Sequence, residues 1–116
     1  MARGDTGRVG EELACRYLEK QGYRVVARNY RIRAGEVDIV AERGGVTYFV
    51  EVRSVRGNLV EHPAETITPG KIRRFKKAMM HYVVSHGVSK YATLFVGVDF
   101  RYSPPRISLI PDFVEE

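Results

Sequence analysis

The chain alternates between two hydrophobic periods, and they divide it into helices and strands. Over residues 5–21, Val9, Leu13, Tyr17 and Leu18 recur at helical spacing, with Asp5 or Thr6 placed to cap the start and Gly22 to stop the run. Gly10 lies within that apolar stripe, where the lack of a side chain lets a helix approach a sheet closely. Glu11 falls at the rim of the stripe, while Glu12 points nearly the opposite way. Tyr23 to Ala27 reads as a first strand, extending irregularly through Arg33. Two further strands, roughly 36–42 and 46–53, flank Gly44-Gly45, a signature of a two-residue hairpin. Residues 54–67, with Gly57, Asn58 and Pro63, read as a loop. Thr68-Pro69 opens a second helix as cap and first residue, with Ile72, Phe75, Met79, Tyr82 and Val83 as its stripe and Gly87 at its end. A long strand over 91–100, expected to be central, and a short one over 106–110 close the order.

Helix, three strands, helix, two strands predicts helices packed on a mixed sheet, an α/β fold in one domain spanning 1–116 with a weakly specified tail over 111–116. The second helix would act as a right-handed crossover, making the third and fourth strands parallel.

The hairpin concentrates the chemistry. Asp38 and Glu51 each place a carboxylate in an otherwise apolar run. If Arg43 and Val46 close the hairpin, Asp38 lies opposite Glu51 and Glu36 opposite Arg53. Opposed like charges destabilise a sheet, and a divalent cation between them turns repulsion into binding. The bland alternative is a structural acidic pair. Alternation puts Glu51 and Arg53 on one face and Val50 and Val52 on the other. Glu36 is read first as a cross-strand salt bridge to Arg53, with a second metal as the alternative.

Composition narrows the partners. A hydrophobic content of 44% supports a real core, and Cys15, the single cysteine, excludes an intrachain disulfide, which suits a cytoplasmic setting. No apolar run is long enough to span a membrane. The net charge of +5 is unevenly spread: Lys71, Arg73, Arg74, Lys76 and Lys77 fall within seven residues that hold no acid. They read as phosphate contacts on a nucleic acid, or as a solvated helix face. A second basic group is Arg24, Arg28, Arg31 and Arg33. Tyr30 and Tyr48 are expected to pack rather than stack on bases, and His62, His81 and His86 lack ligand spacing.

In combination, Gly10-Glu11 with Ala14 and Leu18, Gly22-Tyr23, Arg28-Asn29-Tyr30, Gly35-Glu36-Val37-Asp38, Phe49-Val50-Glu51-Val52 and Pro63-Ala64-Glu65 resemble the YraN-like family of small bacterial proteins. More broadly the order resembles the restriction-endonuclease-like PD-(D/E)xK superfamily and is similar to archaeal Holliday-junction resolvases. The resemblance implies a nuclease acting on DNA, with Mg²⁺ or Mn²⁺ held by Asp38 and Glu51 and with Glu11 completing the site; the chemistry of hard oxygen ligands adds the Val52 carbonyl as a further candidate. Many relatives of this fold dimerise, so a homodimer is among the expectations. The family's lysine after Glu-Val is Arg53 here, followed by Ser54-Val55-Arg56 in place of Thr-Arg. Arginine can stabilise developing phosphoryl charge but is a poor proton acceptor. The competing function is a nucleic-acid-binding protein that keeps the fold without turnover.

Overall fold

The computed structural model describes residues 3–57 and 62–114, with side chains from Gly7 onward. The order is α1 (Arg3–Lys20), β1 (Arg24–Ile32), β2 (Gly35–Arg43), β3 (Val46–Val55), a 3₁₀ turn (Pro63–Thr66), α2 (Pro69–His86), β4 (Tyr91–Asp99) and β5 (Arg106–Pro111). The five strands lie in the sheet in chain order. All neighbours are antiparallel except β3 and β4, which run parallel from Thr47↔Tyr91 to Val55↔Asp99. The crossover between them contains α2, as the element order predicts.

The period-two rule sorts the core into two layers. Ile39, Ala41, Val50, Val52, Leu94, Val96 and Val98 pack with Ala14 and Leu18 of α1. Val37, Val40 and Phe49 pack with Phe75, Ala78, Met79 and Tyr82 of α2. The two helices therefore cover opposite faces of the sheet. Gly10 brings α1 in close, since a Cβ there would lie 2.0 Å from Ser54 Oγ. Gly35 does the same for α2, where a Cβ would lie 1.8 Å from the Arg74 carbonyl oxygen. Thr68 caps α2 by accepting from Lys71 N–H at 3.2 Å, and Gly87 ends it in the left-handed region at φ 63°. Tyr30 packs edge-on against Tyr82 and Tyr48 against Tyr23, so both tyrosines are structural.

Four expectations change. Helix α1 starts at Arg3, so Asp5 and Thr6 lie within it, and the capping expected of their side chains falls outside the described residues. The loop 54–67 is shorter than expected: β3 runs on to Val55, and Pro63–Thr66 form a turn capped reciprocally by His62 and Glu65. Strand β4 is interior but second from the edge, and β3 is the middle strand. The tail is specified as far as Val114, because Phe113 packs against Phe75 and Phe95 and Val114 is buried in the α2 layer.

Candidate functional site

Strands β2 and β3 pair from the hairpin turn, Arg43↔Val46, as far as Ile39↔Val50, the register that the Gly44-Gly45 turn predicts. There the ladder stops. The next rung is made by a side chain: Asp38 Oδ2 accepts the Val52 N–H at 2.8 Å. In an extended strand N–H and C=O of one residue point the same way, so the Val52 carbonyl faces the same gap. The break reaches into β2 itself. Ile39 and Ala41 serve the α1 layer, whereas Val37, two residues before Ile39, serves the α2 layer. Alternation is thus broken at Asp38, which lies at the fork where the two strands part.

Glu51 is 7% exposed and lies beside Asp38 at this fork, the two carboxyls sharing a hydrogen bond. Such a bond needs one proton. Burial, then the neighbouring Asp38 charge, push the Glu51 carboxyl up to about 8. Burial raises Asp38 as well, against the lowering effect of the Val52 N–H and of Glu51. The pair titrates as a unit, with its last proton held on the Glu51 side. Arg53 Nη2 meets Glu51 Oε2 at 2.6 Å, while its buried Nε has no acceptor among the described residues. Lys71, at the start of α2, acts on Glu51 as a further positive charge.

Glu11 reaches the fork from the other layer. Its carboxyl is raised by burial and by Asp38, and lowered by Arg28 and a hydrogen bond from Asn29. Asp38, Glu51 and Arg53 thus meet at the fork, while Glu11, on α1, acts on Asp38 from the other layer. Among the described residues no three His, Cys, Asp or Glu side chains lie close enough to hold an ion together. A divalent ion would have to be taken by Asp38, Glu51 and the Val52 carbonyl. The donor set fits in kind: two hard carboxylates side by side at the fork, Glu51 buried and Asp38 half-buried.

Two neighbours are placed differently from expectation. Glu36 is in a cross-strand salt bridge, but its partner is Arg31 at 2.7 Å on β1, directly opposite it in register, and not Arg53. The ladder to β3 has already ended at Ile39, so Glu36 turns to the strand that is still paired. Glu12 does not turn to the opposite side of the helix: its half-exposed carboxylate crosses to Arg28 at 3.0 Å. Of the basic residues on β1, Arg24 is bound to Glu42, Arg28 to Glu12 and Arg31 to Glu36, so most of that group is neutralised within the fold. On α2, Lys71, Arg73, Arg74 and Lys77 are exposed and Lys76 is half-buried.

Sequence reasoning assigned no role to Asn29. It sits in β1 with φ 54°, and the flanking pairs Arg28↔Ile39 and Tyr30↔Val37 set it opposite Asp38. Asparagine inside a strand is uncommon and tolerates the left-handed region, and that was the available signal.

Layered this way, the molecule is a mixed α/β protein whose acidic centre lies within the sheet, between strands, rather than in a surface loop. The chain belongs to the uncharacterised protein family UPF0102, which it matches over residues 10–110. A UPF0102 protein of Syntrophus aciditrophicus (strain SB) is 38% identical over 112 residues, covering 95% of this chain and 88% of the relative. One from Thermotoga neapolitana is 46% identical over 81 residues, 70% of this chain and 74% of the relative. One from Dehalococcoides mccartyi is 35% identical over 116 residues, 98% and 96% of the two chains. The family agrees with the YraN-like resemblance of the sequence. Among the described residues, no helix is long and apolar enough to cross a membrane.

Proposed function

We propose that this protein is a divalent-metal-dependent nuclease that hydrolyses phosphodiester bonds, with DNA as its substrate and Mg²⁺ or Mn²⁺ as its cofactor. The observation that carries the reading is the Asp38–Glu51 pair at the sheet fork: burial raises both carboxyls, and the Asp38 charge raises Glu51 further. Such a pair is unfavourable for a resting structure and favourable for a site that receives positive charge. A divalent ion there would supply charge on a phosphoryl oxygen and lower the pKa of a water. Asp38 and Glu51 would hold it, with the Val52 carbonyl, and Glu11 would add negative charge from the α1 side. Arg53 would leave Glu51 for the scissile phosphate, its planar guanidinium matching two phosphate oxygens. The exposed cations of α2 would hold the flanking phosphates, because Lys71 ties the start of that helix to the acidic centre.

One observation favours a second reading. Arg53 stands where the motif lysine would and is paired with Glu51 at 2.6 Å, which neutralises the site internally. On that reading the chain binds nucleic acid without cutting it.

The test is cleavage of a panel of labelled DNA and RNA structures with Mg²⁺, Mn²⁺ or EDTA, alongside Glu51→Gln protein purified in parallel. The expected result is metal-dependent cleavage that falls by roughly 100-fold or more in the variant. Cleavage unchanged by Glu51→Gln would remove the nuclease reading, and salt-sensitive binding with no cleavage would select the second.

A further inference from the structure

Residues 28–30 of β1 break the rule that successive strand residues face opposite ways. Arg28 turns to the α1 side and donates to Glu12 at 3.0 Å. Asn29 turns to the same side, where its amide donates to the Glu11 carboxylate. Tyr30 then faces the α2 layer, edge-on to Tyr82 at 5.1 Å and 2.5 Å from His81 Nδ1 through its hydroxyl. The left-handed backbone at Asn29, φ 54°, makes this possible, since an unkinked strand would send residues 28 and 29 to opposite faces.

Two consecutive strand residues thus grip two consecutive carboxylates of one helix. Contacts at Glu11 and Glu12 lie about 100° apart around the helix axis, so together they fix its rotation as well as its distance. Gly10, pressed against Ser54, fixes the distance from β3. We infer that Asn29 is a positioning residue: its left-handed backbone and its amide aim Glu11 at Asp38, while Arg28 on Glu12 locks the helix in that orientation. Asn29 also lies opposite Asp38 in the β1–β2 register. One kink therefore sets both the strand break that takes Asp38 out of the β2–β3 ladder and the helix rotation that brings Glu11 to it. Glycine, asparagine and aspartate adopt this backbone most readily, and of these three asparagine supplies a side-chain donor. The catalytic consequence of the assignment rests on the metal reading above, whereas the positioning itself does not.

The experiment uses the full chain as wild type, Asn29→Gly, Glu11→Gln, Glu12→Gln and the Asn29→Gly/Glu11→Gln double variant. Glycine keeps the positive φ and removes the amide. The first readout is the side-chain amide resonances of Asn29 in ¹⁵N spectra. They are expected to move in Glu11→Gln and to stay in place in Glu12→Gln. The second is Mn²⁺ affinity from the free-ion EPR signal. Asn29→Gly is expected to weaken it by about tenfold, within the range for residues that orient a ligand, with no added loss in the double variant. Amide resonances indifferent to Glu11→Gln, or losses that add in full, would overturn the assignment. If the wild type takes up no Mn²⁺, the metal reading falls and the amide spectra alone decide the positioning role.

Discussion

Glu51 shows what a single residue can do to a fold. Its carboxyl is pushed up to about 8 from an ordinary 4.5 by burial and by Asp38, so the folded chain holds its proton more tightly than the unfolded chain does. The stabilisation from that proton is complete below pH 4.5 and is lost as pH rises through about 8. Without metal, the protein should therefore melt at progressively lower temperature across this window. Glu51→Gln should flatten the dependence and raise the melting temperature at pH 8 by roughly 3–8 °C, about 1–2 kcal/mol. Thermal unfolding in EDTA at a series of pH values checks both, and parallel curves for the two proteins would count against the shared proton. Arg53 does not remove this tension. It pairs with Glu51 and lowers both carboxyls, yet burial still leaves Glu51 holding its proton up to about pH 8.

At the level of elements, two glycines hold the layers together for different reasons. A methyl group on Gly35 would strike the backbone oxygen of Arg74, which α2 cannot move without shifting as a whole. On Gly10 it would strike the hydroxyl of Ser54, a side chain that can be changed. Gly35→Ala should thus destabilise by about 3 kcal/mol and Gly10→Ala by about 1–2 kcal/mol, with Ser54→Ala restoring much of the second loss and none of the first. Urea unfolding of the wild type, of Ser54→Ala, and of each glycine variant with and without Ser54→Ala measures the order, and equal rescue of both would refute it. Gly10 was legible in the chain because it interrupts an apolar stripe. The hairpin register was legible because Gly44 and Gly45 both take positive φ, 59° and 78°, as a tight turn between twisted strands requires. From that register the meeting of Asp38 and Glu51 followed directly. The partner of Glu36 did not follow, because extending the alternation past Ile39 assumes an unbroken strand, and the break depends on Asn29 in a different strand. The packing of Phe113 and Val114 was hidden for a similar reason. Two apolar residues carry no period, and only the assembled α2 layer shows the hollow they fill.

Across the whole molecule, charge is sorted by the fold. Among the described residues the arginines of β1 are largely consumed in ion pairs, while α2 presents Lys71, Arg73, Arg74 and Lys77 to solvent, and Lys71 acts on Glu51 of the acidic pair. If this helix carries the phosphate contacts, binding to duplex DNA should weaken linearly in log–log salt titrations. Removing Lys71 and Arg73 together should lower the slope by about 2, near 0.9 per contact, whereas Arg24→Ala should leave it unchanged. A slope that responds to Arg24 and not to α2 would move the interface to the other face. The sheet that carries this arrangement is open, with β1 and β5 at its two edges. An open edge invites a strand from another chain, and the kink at Asn29 answers that hazard on the β1 side. A strand laid along β1 would meet an irregularity between Val25 and Ala27, then a residue of the wrong hand, with Arg24, Arg28 and Arg31 standing along the way. On the far side β5 is six residues long and ends in Pro111. The same left-handed residue that aims a glutamate inward therefore makes the β1 edge a poor template for a further strand.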